Sequence, residues 1–107
     1  MNAKESPQIQ AIRSRYRASL NDKAQMISVH VKAISDIGVK TQSVEQEKLS
    51  LQSLRDDLHK LAGSSGMYGY DDVSVVCRDI MRAIDDADIK NAKQLLVELQ
   101  QLLKHHA

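Results

Sequence analysis

Very little in this chain can interrupt a helix. Its 107 residues include one proline, Pro7, and four glycines, Gly38, Gly63, Gly66 and Gly69. A fold of many short strands needs far more of these turn residues than that. Apolar side chains instead recur three and four residues apart, the spacing of one face of a helix. The chain therefore reads as all-α. A first short helix runs from about Pro7 to Ala18, with Ser6 as N-cap and Pro7 at the first helical position. Ile9, Ile12 and Tyr16 give it one apolar stripe. A second helix runs from about Asn21 to Ile37, carrying Ala24, Ile27, Val31 and Ile34, with Gly38 placed to stop it. The polar stretch from Val39 to Glu45 is the connection. The third helix, about Val44 to Met67, carries Leu51, Leu54, Leu58, Leu61 and Ser65 in the pattern of a bundle seam. Gly69 suits the turn that follows, and Asp71 or Asp72 caps a fourth helix whose buried face is Val73, Val76, Cys77, Ile80 and Ile84. Asp85, Asp86 and Asp88 crowd the next break, where they complement the positive end of the last helix. That helix buries Ile89, Ala92, Leu95, Leu96, Leu99, Leu102 and Leu103. Such elements pack most simply as an antiparallel up-down-up-down four-helix bundle with the short N-terminal helix across one end. Residues 1–107 form one domain, with an ordered core of about 7–104.

Composition narrows the function. Fifteen basic against 14 acidic side chains leave a net charge of +1, so no strong field selects nucleic acid or an anionic membrane. Three tyrosines, with no Trp or Phe, supply almost no stacking platform for bases. A single cysteine cannot form an internal disulfide, no N-terminal run combines basic residues with a long apolar stretch, and no apolar run approaches the roughly 20 residues that span a bilayer. The expected setting is cytoplasmic and the expected state a monomer. A bundle of this kind implies no cavity, so function belongs on its surface.

One stretch of that surface is unusual. In His59-Lys60-Leu61-Ala62-Gly63-Ser64-Ser65-Gly66 an imidazole stands mid-helix and is followed by residues too small to cover it. Helical side chains lean toward the N-terminus, so the surface around His59 is covered from one turn later, by Ala62 and Gly63. Interior glycines such as Gly63 and Gly66 each cost roughly 1 kcal/mol relative to alanine. The expectation is an outward-facing imidazole on a track of Ala62, Gly63 and Gly66, open to a large partner. Arg55 and Gln52 continue its face in the other direction.

Other features read as structure. Gly63 to Gly66 has an alternative reading as a loop between two shorter helices, and as a phosphate-cradling loop it lacks the preceding strand and the Gly-Lys-Ser/Thr ending. Cys77 lies on an apolar stripe and reads as a packed core thiol. Met26, Met67 and Met81 read as gap fillers, with the lining of a partner groove as the alternative. His30 is an isolated helix residue, and His105 and His106 end the chain in a frayed tail. No metal-ligand constellation appears. Adjacent carboxylates such as Asp56-Asp57 and Asp85-Asp86 diverge by about 100° on a helix, so they read as solvated charge and helix-end residues.

With these residues in place, the chain resembles the histidine-containing phosphotransfer (HPt) domains of two-component relays. His59, Gly63, Ser64 and Gly69 occupy the family's phosphorylatable histidine, its Gly-Ser pair and the glycine ten residues after the histidine. The helix beginning Val73-Ser74-Val75-Val76-Cys77 follows at the family's spacing. The likeness is strongest from about Leu51 to Ile84. It implies a phosphocarrier whose His59 takes a phosphoryl group from an aspartate of one response-regulator receiver domain and passes it to another. The partners it implies are receiver domains and a hybrid sensor kinase, with Mg²⁺ brought by the receiver and no cofactor of the chain's own. No ATP-binding segment fits in the chain, so autonomous kinase activity is not expected. Phosphoryl transfer depends on positioning and on neutralising charge on three equatorial oxygens. Residues expected near the phosphoryl group are Lys60, Arg55, Ala62 and Gly63, and the partner interface adds Gln52, Asp56, Gly66 and Met67, with Tyr68 at one end. Such transient contacts bury on the order of 1,200 Å² or less. Two positions depart from the family. Many members carry lysine where this chain has Ala62, and some place a polar side chain where Met81 falls. Arg78 is one turn before Met81. The competing reading is a helical module that docks a receiver domain or another signalling partner without being phosphorylated.

Overall fold

The computed structural model describes residues 6–37 and 43–107. These fold into five helices: α1 (Pro7–Ala18), α2 (Leu20–Ser35), α3 (Val44–Met67), α4 (Asp71–Asp85) and α5 (Ile89–His106). No strand occurs among the described residues. Gly38, expected to stop α2, and the connection from Val39 to Gln42 lie outside them.

Helices α2, α3, α4 and α5 close a ring of neighbours, α3 on α4, α4 on α5, α5 on α2 and α2 on α3. Leu20, Ile27, Leu54, Leu58, Ile80, Leu96, Leu99 and Leu103 are fully enclosed at its centre. Removing each such side chain from water contributes about 1.5–3 kcal/mol. With no Trp or Phe available, the centre of the ring is filled by branched aliphatics from four directions, which fixes the facing of each helix. Helix α3 opens with Ser43, whose hydroxyl accepts from the Gln46 amide while the Gln46 side chain accepts from the Ser43 amide.

The first helix departs from expectation. Ser6 caps it and Pro7 opens it, but Ile9 and Ile12 are 47% and 45% exposed, and Tyr16 alone of the stripe is buried. Ser19 keeps right-handed helical angles (φ −77°, ψ −10°), and its amide bonds back to Arg15 and Tyr16. The chain thus passes from α1 into α2 through this one residue. Tyr16 stacks on Tyr68 with ring centres 4.2 Å apart and its hydroxyl meets that of Ser64 at 2.8 Å.

The fourth helix also packs on a different set of residues. Ser74 and Ala83 are buried along with Val73, Cys77 and Ile80, whereas Val76 and Ile84 are half-buried. Small residues win because α3 comes close here. The Ser74 hydroxyl donates to the Ala62 carbonyl at 3.0 Å, and a Cβ on Gly66 would lie 3.4 Å from the Ser74 oxygen. Neither aspartate caps α4. Tyr70 is the N-cap, and Asp72 sits inside the first turn, bonded through its other oxygen to His106 Nε2 at 2.7 Å. The end of the chain is accordingly not frayed: α5 runs to His106, whose ring stands edge-on to Tyr70 at 5.0 Å.

Two helices end in the same way. After α3 the Tyr70 amide reaches the Ser65 carbonyl and Gly69 the Gly66 carbonyl; after α4 the Asp88 amide reaches Ala83 and Ala87 reaches Ile84. Both are six-residue closures that require a left-handed residue at the same position. Gly69 meets that need at φ +87°, while Ala87 is forced to φ +58°. Ala87→Gly should therefore raise stability by about 0.5–1 kcal/mol, read as a higher urea midpoint with an unchanged slope. An unmoved or lower midpoint would show that Ala87 carries no strain.

Candidate functional site

Helix α3 runs unbroken through Gly63 and Gly66, which removes the reading of this stretch as a loop. His59 is exposed. A Cβ added at Gly63 would meet nothing within 4 Å, so this position is open space. The small-residue track is otherwise split in two. Ala62 is only 4% exposed and, with Ser65 and Gly66, serves the close approach of α4. One residue of the expected track, Gly63, thus leaves the imidazole uncovered, while Ala62 lies in the α3–α4 seam. An alanine side chain there fits the seam because its neighbour is Ser74.

The side of His59 that faces α4 is bracketed by two contacts. On one side Arg55 grips Asp85 with both arms, Nε to Oδ1 at 3.0 Å and NH2 to Oδ2 at 2.9 Å. On the other the Ser74 hydroxyl meets the Ala62 carbonyl. Between them lie His59 on α3 and Met81 and Arg78 on α4. Arg78 is exposed and lines a shallow hollow with Ala62, Gly63, Gly66, Asp71, Ser74 and Val75. The Arg55 guanidinium holds the Asp85 carboxyl below the usual carboxylate range. Asp85 is therefore a partner for a site residue, where the sequence reading had it serving the helix end.

The remaining expected residues spread along α3. Lys60 is exposed, about 100° around the helix from His59. Gln52 donates to Asp56 at 2.9 Å on the outer surface. Met67 is 75% exposed at the far end, and Tyr68 is half-buried beneath Tyr16. Gln52, Arg55, Asp56, His59, Gly63 and Met67 all lie on the outside of α3, whereas Ala62 does not.

Sequence reasoning missed one polar contact beside the site. His30, read as isolated, is 8% exposed, and its Nε2 lies 2.7 Å from Asp57 Oδ2. Asp57, read as solvated, thus joins α2 to α3 two residues before His59. The only available signal was that both positions fall at the edge of their apolar stripes. Cys77 is fully enclosed, and burial pushes its thiol up to about 12. Iodoacetamide should therefore leave Cys77 unmodified in the native protein at neutral pH and alkylate it once urea unfolds the chain, as read by intact mass. Rapid native labelling would contradict the enclosed thiol.

The site thus presents an exposed mid-helix imidazole with open space at Gly63 one turn later. A family model of the Hpt domain matches residues 11–106. The chain belongs to the Hpt domain family. Hpt domains are phosphocarrier modules of two-component phosphorelays that work with receiver domains and kinases. No curated protein and no solved structure matches. The matched span of this Hpt domain takes in all of α2 to α5 and most of α1. Among the described residues no helix is long and apolar enough to cross a membrane, and no group of three or more His, Cys, Asp or Glu is placed to hold a metal ion.

Proposed function

We propose that this Hpt domain is a phosphorelay carrier in which His59 takes a phosphoryl group from an aspartyl phosphate on one receiver domain and delivers it to an aspartate on another. A ring nitrogen attacks phosphorus, the N–P bond forms as the acyl O–P bond breaks, and the receiver carboxylate leaves with the electron pair. The ring's other nitrogen sheds or regains its proton to solvent. Delivery is the reverse on a second receiver. The observation that carries this reading is the exposed His59 above the open space at Gly63. A neutral imidazole carries a free lone pair on one ring nitrogen, so the attack needs no separate base.

Other parts of the reading follow. The four ring helices run alternately up and down; the three-residue turns and the contacts of Arg55 with Asp85 and Ala62 with Ser74 support this for α3 and α4. Mg²⁺ comes with the receiver, because the α3 residues adjacent to His59 in sequence and one turn before it, Lys60 and Arg55, are cations, which do not fit a divalent metal. Gln52, Asp56, Gly66 and Met67 belong to the docking surface. The protein acts as a cytoplasmic monomer without kinase activity of its own. The observation that favours a binding-only module is Ala62, a buried methyl where many relatives have lysine.

The decisive experiment incubates the protein with a panel of phosphorylated receiver domains and follows its intact mass. The expected result is a gain of one acid-labile phosphoryl group from at least one receiver. Binding without any gain across the panel would establish the binding-only module instead.

A further inference from the structure

A phosphoryl group on His59 brings close to two negative charges to a helix surface, and the family's usual answer to them, a lysine three residues on, is absent here. Three cations stand near enough to be considered. Arg55, one turn before His59, already has both arms on Asp85, at 3.0 and 2.9 Å. Using it would mean separating that pair. Lys60 is exposed, but points about 100° away around the helix. Arg78 differs from both. It follows Ser74 by one turn on α4, lines the hollow next to Gly63 together with Asp71, and among the described residues makes no hydrogen bond or ion pair, with Asp71 or any other carboxylate. A Cβ at Gly63 would meet nothing within 4 Å.

We infer that Arg78 supplies from α4 the positive charge that holds the phosphoryl oxygens on His59, reaching across the space left by Gly63. The guanidinium fork matches phosphate with two parallel hydrogen bonds, which a single ammonium does not. The burial of Ala62 follows the same logic: with the charge carried on α4, the α3 position is free to be a methyl that lets Ser74 bond its carbonyl. This inference rests on the phosphocarrier reading of His59 and adds the residue that stabilises the product.

Phosphoramidate tests it without any partner protein. The imidazole nitrogen attacks phosphorus, the N–P bond to ammonia breaks with its electron pair, and the released ammonia takes up the ring proton as ammonium. In the wild-type protein, acid-labile phosphate is expected on His59. Arg78→Ala should lower the rate of its formation roughly tenfold, the scale of one charge-assisted hydrogen bond. Arg78→Lys should keep most of the rate, and guanidinium far below denaturing concentrations should restore the alanine variant, which a loss of helix structure would not permit. Unchanged rates in Arg78→Ala, with phosphate still gained on His59, would overturn the assignment and leave the phosphocarrier reading standing. A drop confined to Arg55→Ala, with a gain in Asp85→Asn, would overturn it in favour of Arg55. No phosphate on wild-type His59 would overturn the assignment together with the reading beneath it.

Discussion

His59→Gln should abolish acid-labile phosphorylation completely, from receivers and from phosphoramidate alike, while the thermal transition of the bundle stays where it is. Both halves follow from position. His59 is exposed and glutamine is a good helix former, so the expected change in stability is within about ±0.5 kcal/mol. No other imidazole is placed to take over. His30 is enclosed against Asp57 and His106 is held by Asp72, and His105 sits in the last turn of α5, on a different element from Gly63. Retention of acid-labile phosphate in this variant would move the phosphorylated group elsewhere. A large fall in melting temperature would mean that His59 has a structural role its surroundings do not reveal.

The second large effect is steric. Gly63→Leu starts a branched side chain at a Cβ that meets nothing within 4 Å, and leans it toward His59 one turn earlier. Leucine is a stronger helix former than glycine by somewhat under 1 kcal/mol, so the variant should be no less stable than the parent. Transfer from a cognate receiver should nevertheless fall by roughly 100-fold, because a misplacement of about 1 Å in the reacting atoms costs that much. Small phosphoramidate should lose far less. Equal rates from the receiver in both proteins would show that the partner does not approach over Gly63. Gly66→Leu is not an equivalent test, since its side chain would press on Ser74 and disturb the α3–α4 seam.

How much was legible depended on how local the cause was. The span of α3, Val44–Met67, follows from seam leucines, the small residues and the following Gly69, all within one stretch of chain. The exposure of His59 follows from its place one residue past Leu58. Ala62 was misjudged because helical periodicity gives a direction and not the distance to the neighbouring helix; Ser74 brings α4 close enough to bury it. Ile9 and Ile12 were misjudged because an apolar stripe does not say whether a partner surface reaches it. Pairs such as His30 with Asp57, Arg55 with Asp85 and His106 with Asp72 join residues 27, 30 and 34 apart in the chain. Complementary charge is common in any helical sequence, and only the three-dimensional register selects which charges meet.

The enclosed pair of His30 and Asp57 has a practical consequence for following this protein in solution. Its imidazole bridges two helices of the ring, whereas that of His59 faces outward two residues beyond Asp57. The ring resonances of His30 in a proton–nitrogen correlation spectrum will therefore report whether α2 and α3 are closed on each other, and those of His59 will report what is attached to it. One sample then carries its own control: a modification confined to the surface shifts the second set and leaves the first in place, and any variant that loosens the bundle shifts both.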